Sequence, residues 1–147
     1  MMLPQYDLTS DKGLTVFEFV SVGKKGKIPK IVQYSETEKK GTFNLGFGDK
    51  CLQTDEFDDT VISNNGDTKK VLATVAATVY AFTDEHPEAS IYAKGRSKSR
   101  TRLYRMGLTG VLSEIVKDFE LYGLRDGGWH EFVKGVQYDA FLIKRRS

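Results

Sequence analysis

The chain has 147 residues, 39% of them hydrophobic and 29% charged, which suits one domain with its own core and excludes a wholly disordered chain. Lysines and arginines number 22 and acids 20, so the net charge of +2 argues for no partner by itself, and any electrostatic function must come from how the charge is distributed. No run approaches the roughly 18 apolar residues of a membrane span, and Met1 to Asp11 lacks the cationic start and apolar middle of a signal peptide. Cys51 is the lone cysteine and has no internal disulfide partner, so a reducing, cytoplasmic setting without membrane contact is expected.

Thr15 to Val22 is rich in β-branched and aromatic residues, and Gly23-Lys24-Lys25-Gly26 separates it from a second such run, Ile28 to Tyr34. The two predict a β-hairpin. Phe43, Leu45 and Phe47 alternate with Asn44, Gly46 and Gly48, which predicts a strand with one large apolar face and with something packed close above its glycines. A fourth strand is expected from Glu56 to Ser63, before Asn64-Asn65-Gly66-Asp67 breaks the pattern. Asp67 or Asn65 is the expected N-cap of a helix that carries Leu72, Val75, Val79 and Phe82 on one side; its alanines keep it thin, and Pro87 bars its continuation.

Ser90 to Arg96 reads as a short strand. From about Lys98, Tyr104, Leu108, Val111, Leu112, Ile115 and Phe119 trace the apolar stripe of a second helix. Strand character then returns at Leu121 to Leu124, a Gly127-Gly128 turn, Trp129 to Val133 and Ala140 to Ile143, before the basic end Lys144-Arg145-Arg146. The expected fold is a single α+β domain, with a strongly bent antiparallel sheet of about six to seven strands packed against two α-helices.

Charge is unevenly placed along this framework. Asp49, Asp55, Glu56, Asp58, Asp59 and Asp67 face only Lys50 in their stretch of sequence, whereas Lys94, Arg96, Lys98, Arg100, Arg102 and Arg105 fall within twelve residues that hold no acid. At 100° per residue Lys98, Arg102 and Arg105 share one side of the second helix, beside the apolar stripe, and a strand places Tyr92, Lys94 and Arg96 on one face. Cations neutralise phosphates, arginine binds them in bidentate fashion, and an exposed tyrosine such as Tyr92 offers a stacking surface. Tyr104 is a further aromatic of the segment, but it lies on the core stripe. The start of the helix adds free amide donors. The competing reading is a solvated helix face, or one paired with the chain's own acidic segment. Against it, cations near a helix N-terminus cost about 0.3–1 kcal/mol each, so stability alone does not select them.

Other constellations carry less. Asp55-Glu56-Phe57-Asp58-Asp59 lacks the alternating oxygen ligands and central glycine of a calcium loop, and Gly46-Phe47-Gly48 is not followed by a helix start, so no metal and no cofactor are expected. His86 reads as a helix end and His130 as part of a strand. Leu103 and Met106, off the main stripe, are candidates for a second contact surface, such as a homodimer's, or for the cover of a sheet edge.

The strings Gly46-Phe47-Gly48-Asp49, Asp58-Asp59-Thr60-Val61, Asn64-Asn65-Gly66-Asp67-Thr68, Val71-Leu72-Ala73-Thr74-Val75 and Arg100-Thr101-Arg102-Leu103-Tyr104-Arg105 resemble those of a family of small bacterial proteins of about this length. The resemblance covers most of the chain from Gly41 onward. That family has no established activity, so it transfers no catalytic residue; what it implies is a setting beside small helix-turn-helix proteins that resembles toxin–antitoxin pairs. In element order, four strands followed by a helix is similar to the single-stranded nucleic-acid binders of the Pur-alpha and Whirly type, from which the later strand-helix-strand order departs.

The expected function is therefore a small module that binds nucleic acid or another polyanion through Tyr92, Lys94, Arg96, Lys98, Arg100, Arg102 and Arg105. The alternatives are a metal-independent ribonuclease, with cations stabilising a phosphorane and a tyrosine, histidine or carboxylate moving the proton, and a protein-interaction module that docks a small partner. No residue is assigned a catalytic role.

Overall fold

The computed structural model describes residues 4–50, 65–95 and 97–146, together with the backbone of 57–58. Strands β2 (Val16–Gly23) and β3 (Gly26–Glu36) pair antiparallel from Val16 opposite Gln33 to Gly23 opposite Gly26, so the expected hairpin forms on the expected turn. Gly26 takes φ +90°, which an L side chain resists. Gly23 is required for space, because a Cβ there would stand 2.0 Å from the Asn65 carbonyl oxygen. A short strand β1 (Thr9–Ser10) edges β2. On the other side β4 (Thr42–Lys50) pairs antiparallel with β3, and Gly46 and Gly48 are buried sheet residues within it. Of the fourth expected strand only β5 (Phe57–Asp58) is described, bonded to Asp49 and Lys50; the rest, with Cys51 and most of the acidic run, lies outside the described residues.

Helix α1 (Thr68–Glu85) ends at His86, just before Pro87. Its apolar side meets the sheet through Phe82, which stacks on Tyr34 with ring centroids 4.2 Å apart and meets Phe43 edge-on at 5.0 Å. Strand β6 (Ser90–Ala93) stops short of Arg96, because the Gly95 N–H leaves the sheet and donates to Thr101 Oγ1 (3.0 Å) at the start of α2 (Lys98–Gly110). The expected second helix is in fact two: α2 ends at Gly110, and α3 (Leu112–Asp118) resumes after Val111 at φ −115°, ψ 11°. Glycine, the poorest helix former after proline, sits at that break, while the stripe Tyr104, Leu108, Val111 and Ile115 stays buried through it. Phe119 belongs to β7 (Phe119–Arg125), which turns into β8 (Gly128–Glu131), and β9 (Ala140–Arg145) closes the chain.

Hydrogen bonds join eight strands in the order β1-β2-β3-β4-β6-β9-β7-β8, with β5 attached to β4 off that path, in an α+β fold whose sheet does not close. Three expectations need correction: among the described residues the strands outnumber six to seven, the helices number three, and the sheet is mixed. The last follows because the connection through α1 returns the chain beside β4 in the same direction, pairing Thr42 with Ser90 and Leu45 with Ala93 in parallel. Cross-strand registers divide the sheet into two faces. One carries Phe19, Val32, Leu45, Ile91, Phe141 and Leu121, all buried under the helices; the other carries Val20, Tyr92, Leu142, Tyr122 and Trp129 and has no helix over it among the described residues.

Asp67 occupies the N-cap position of α1 but caps nothing. Its Oδ2 accepts hydrogen bonds from the Tyr6 hydroxyl and from Ser21 Oγ, each at 2.5 Å. Asn65, the other cap candidate, is buried and clamps the hairpin turn: its Oδ1 accepts from the Lys25 N–H (2.5 Å) and its Nδ2 donates to the Gly26 carbonyl (2.9 Å). Burial pushes the Asp67 carboxyl up, but the hydrogen bonds from Ser21 and Tyr6 and the charge of Lys30 outweigh it and hold the carboxyl below the ordinary aspartate range. The unfolded chain thus takes up this proton first as pH falls, so the stabilisation is complete above the ordinary aspartate pKa of about 3.9 and is lost as pH drops through the lower native value. Urea unfolding at pH 7 and pH 3 is expected to show a smaller acid loss for Asp67→Asn than for the parent; equal losses would remove the assignment.

Candidate nucleic-acid interface

Alternation along β6 buries Ile91 and Ala93 among the core and turns Tyr92 outward, half-buried. Lys94 follows, exposed, at the point where the chain leaves the sheet. The turn into α2 is tight: a Cβ on Gly95 would lie 2.5 Å from both Arg100 Cβ and the Thr101 nitrogen. Ser97 caps the helix, its Oγ accepting from the Arg100 N–H at 3.1 Å, so one of the expected amide donors is already engaged by the protein itself. Thr101 is buried against Gly95, and this leaves Lys98 and Arg102 exposed on the outer side.

The expected cations therefore divide. Lys94, Lys98 and Arg102 are exposed, and Arg100 is half-buried. Arg105 is half-buried too and donates from Nη1 to the Val136 carbonyl (3.4 Å), so it braces the loop before β9. Tyr104 is buried, as its place on the stripe suggests. Arg96 lies outside the described residues. None of the described five forms an ion pair with a carboxylate among the described residues. In the basic end, Arg145 is held by Asp84 (2.8 Å) and Thr83 (2.6 Å) and lies over the Phe119 ring, so it serves the fold, while Lys144 is exposed beside Glu120.

One aromatic beside Tyr92 has no role in the sequence reading. Trp129 is 43% exposed, and its ring meets that of Tyr92 edge-on, with centroids 6.1 Å apart at 85°. Trp129 pairs with Leu124, which pairs with Ala140, whose strand in turn borders β6. The two side chains thus reach toward each other over two intervening strands, about 14 Å between their own strands. Ala140 between them is wholly buried, although it lies on the face without helices. Strand alternation places Trp129 on the same face as Tyr122, but nothing local reveals that β9 brings β6 alongside.

His86 Nε2 lies 3.0 Å from the Gly13 carbonyl oxygen and His130 Nε2 3.2 Å from that of Arg125. An open cleft of about 480 Å³ is lined by Gln5, Ala77, Tyr80, Glu114, Lys117 and Asp118. There the Tyr80 hydroxyl is pushed up to about 12 by burial and by its 3.0 Å hydrogen bond to Asp118, so it keeps its proton at neutral pH. Among the described residues no three histidines, cysteines or acids gather as a metal site, and no helix is long and apolar enough to cross a membrane.

Comparison with curated proteins and with solved structures gives no match. A family model described as "Family of unknown function (DUF6934)" matches residues 2–146, nearly the whole chain and all of the strings that carried the resemblance. The protein therefore belongs to that family.

Proposed function

We propose that the protein is a small binding module for nucleic acid or another polyanion, with Lys94, Lys98, Arg100 and Arg102 making the contact and Tyr92 flanking it. One observation carries the reading: four cations within nine residues have no carboxylate opposite them among the described residues, and three of the four are exposed. Like charges gathered at the first turns of α2 work against its dipole, and a bound phosphate chain would offset that cost. Arg96 joins the set by sequence position.

Fluorescence anisotropy with labelled single-stranded DNA, RNA and duplex DNA at low and moderate salt tests this. Affinity is expected to fall steeply with salt, and Lys98→Ala/Arg102→Ala is expected to weaken binding and to flatten the salt slope by about 0.7 per lost cation on a single strand. Thermal unfolding of that variant should match the parent, since neither side chain is bonded to another of the described residues. Arg105 is kept because its loss would also free the Val136 carbonyl. Unchanged binding in the double variant, or no binding by the parent, rejects the proposal. The alternatives, a metal-independent ribonuclease and a partner-binding module of toxin–antitoxin type, lack a comparable observation. RNA cleavage in chelator would establish the first, and co-purification of a small protein that blocks nucleic-acid binding would establish the second.

A further inference from the structure

We propose that Trp129, with Tyr92 set edge-on to it, is a stacking platform for an unpaired base, so that the surface selects single-stranded over duplex nucleic acid. This rests on the reading of Lys94, Lys98 and Arg102 as phosphate contacts. Tryptophan is the largest apolar side chain, and leaving nearly half of it in water forgoes burial that the core could supply. Here the ring stands on the face without helices, braced by Tyr92 and reaching over the buried Ala140, so it is held in place while part of its surface stays open. Every base offers a π-face to such a ring once it is unpaired, whereas in a duplex that face is covered by the next base pair.

The surrounding charge sets the path of the backbone. On this face the row one step from Trp129 ends in Glu131, opposite Tyr122, and the next carries Glu120 opposite Lys144. Phosphates avoid that side. In the other direction β6 ends at Lys94, and the chain passes directly into α2 with Lys98 and Arg102 exposed. Lys94, at the end of β6, is therefore the cation that a strand with a base on Trp129 meets on this side; α2, which carries Lys98 and Arg102, packs through Tyr104 and Leu108 beside Leu45 and Ala93 of the other face. Charge complementarity of this kind favours a polyanion over an apolar protein surface as the occupant of the aromatic pair.

Trp129 is the only tryptophan of the chain, so its own fluorescence reports contact in the unaltered protein. Titration with oligothymidylate is expected to quench that emission, and duplex DNA of equal length at equal salt is expected to bind more weakly and quench little. Trp129→Ala is expected to lose roughly 5- to 150-fold in affinity for the single strand with an unchanged salt slope, and Trp129→Phe to keep most of it. Binding of the single strand without quenching, together with unchanged affinity in Trp129→Ala, overturns the platform and leaves the cationic surface standing. Equal affinity for duplex and single strand also overturns it. Failure of the parent to bind any nucleic acid overturns both, and directs the aromatic pair to a protein partner instead.

Discussion

Replacing Lys30 with methionine is expected to lower the free energy of unfolding by about 3–5 kcal/mol. Lys30 is 1% exposed, opposite Phe19 on β2, and its ammonium is paired with Asp49 across β3 and β4. Methionine keeps most of the apolar stem, so the loss comes from removing the ammonium that is paired with Asp49, whose side chain is only 14% exposed, and that acts also on the Asp67 carboxylate. Lys30→Met/Asp49→Asn should recover part of the loss, because both members of the pair are then neutral; this non-additivity marks the pair as coupled. The neighbouring pair of Lys50 and Glu18, at 2.5 Å, gives the contrast: Glu18 is 40% exposed, so water can replace its partner, and Glu18→Gln should cost no more than about 1 kcal/mol. Urea unfolding at pH 7 measures all three. A loss below about 1 kcal/mol for Lys30→Met would mean that water reaches the pair and that burial does not govern it.

The second large effect is expected at Phe82, where substitution by alanine should cost about 3–5 kcal/mol. The ring is wholly buried and is shared between Tyr34, Phe43 and His86, so its removal opens a cavity under three neighbours at once. Near-parallel stacking on Tyr34, at 5° between planes, adds to the loss beyond area alone. Tyr34 has little freedom to fill the gap, because its hydroxyl is within 2.8 Å of Thr78 Oγ1 on the same helix. Phe82→Leu keeps much of the volume and should lose distinctly less. If alanine costs below about 2 kcal/mol, the site has collapsed around the smaller side chain, and α1 is held to the sheet by other contacts.

The amino-acid sequence alone determined the elements whose signals are local. The Gly23 to Gly26 turn, the alternation of Phe43, Leu45 and Phe47, the helical period from Leu72 to Phe82 and the stop at Pro87 each depend on neighbours within a few residues, and the structure has each in place. The exposure of Lys98 and Arg102 was legible for the same reason, since one face of one helix decides it. Tertiary structure alone decided what joins distant segments. The parallel pairing of β4 with β6 makes the sheet mixed, and it depends on where α1 returns the chain. Asp67 reads as a cap by position, yet Tyr6 and Ser21, far off in sequence, claim its carboxylate. Arg105 looks equivalent to Arg102 on the helix, but the loop at Val136 comes within its reach. Trp129 and Tyr92 meet only because β9 and β7 lie between their strands, and hydrogen bonding between strands carries no sequence period by which the order of a sheet could be read.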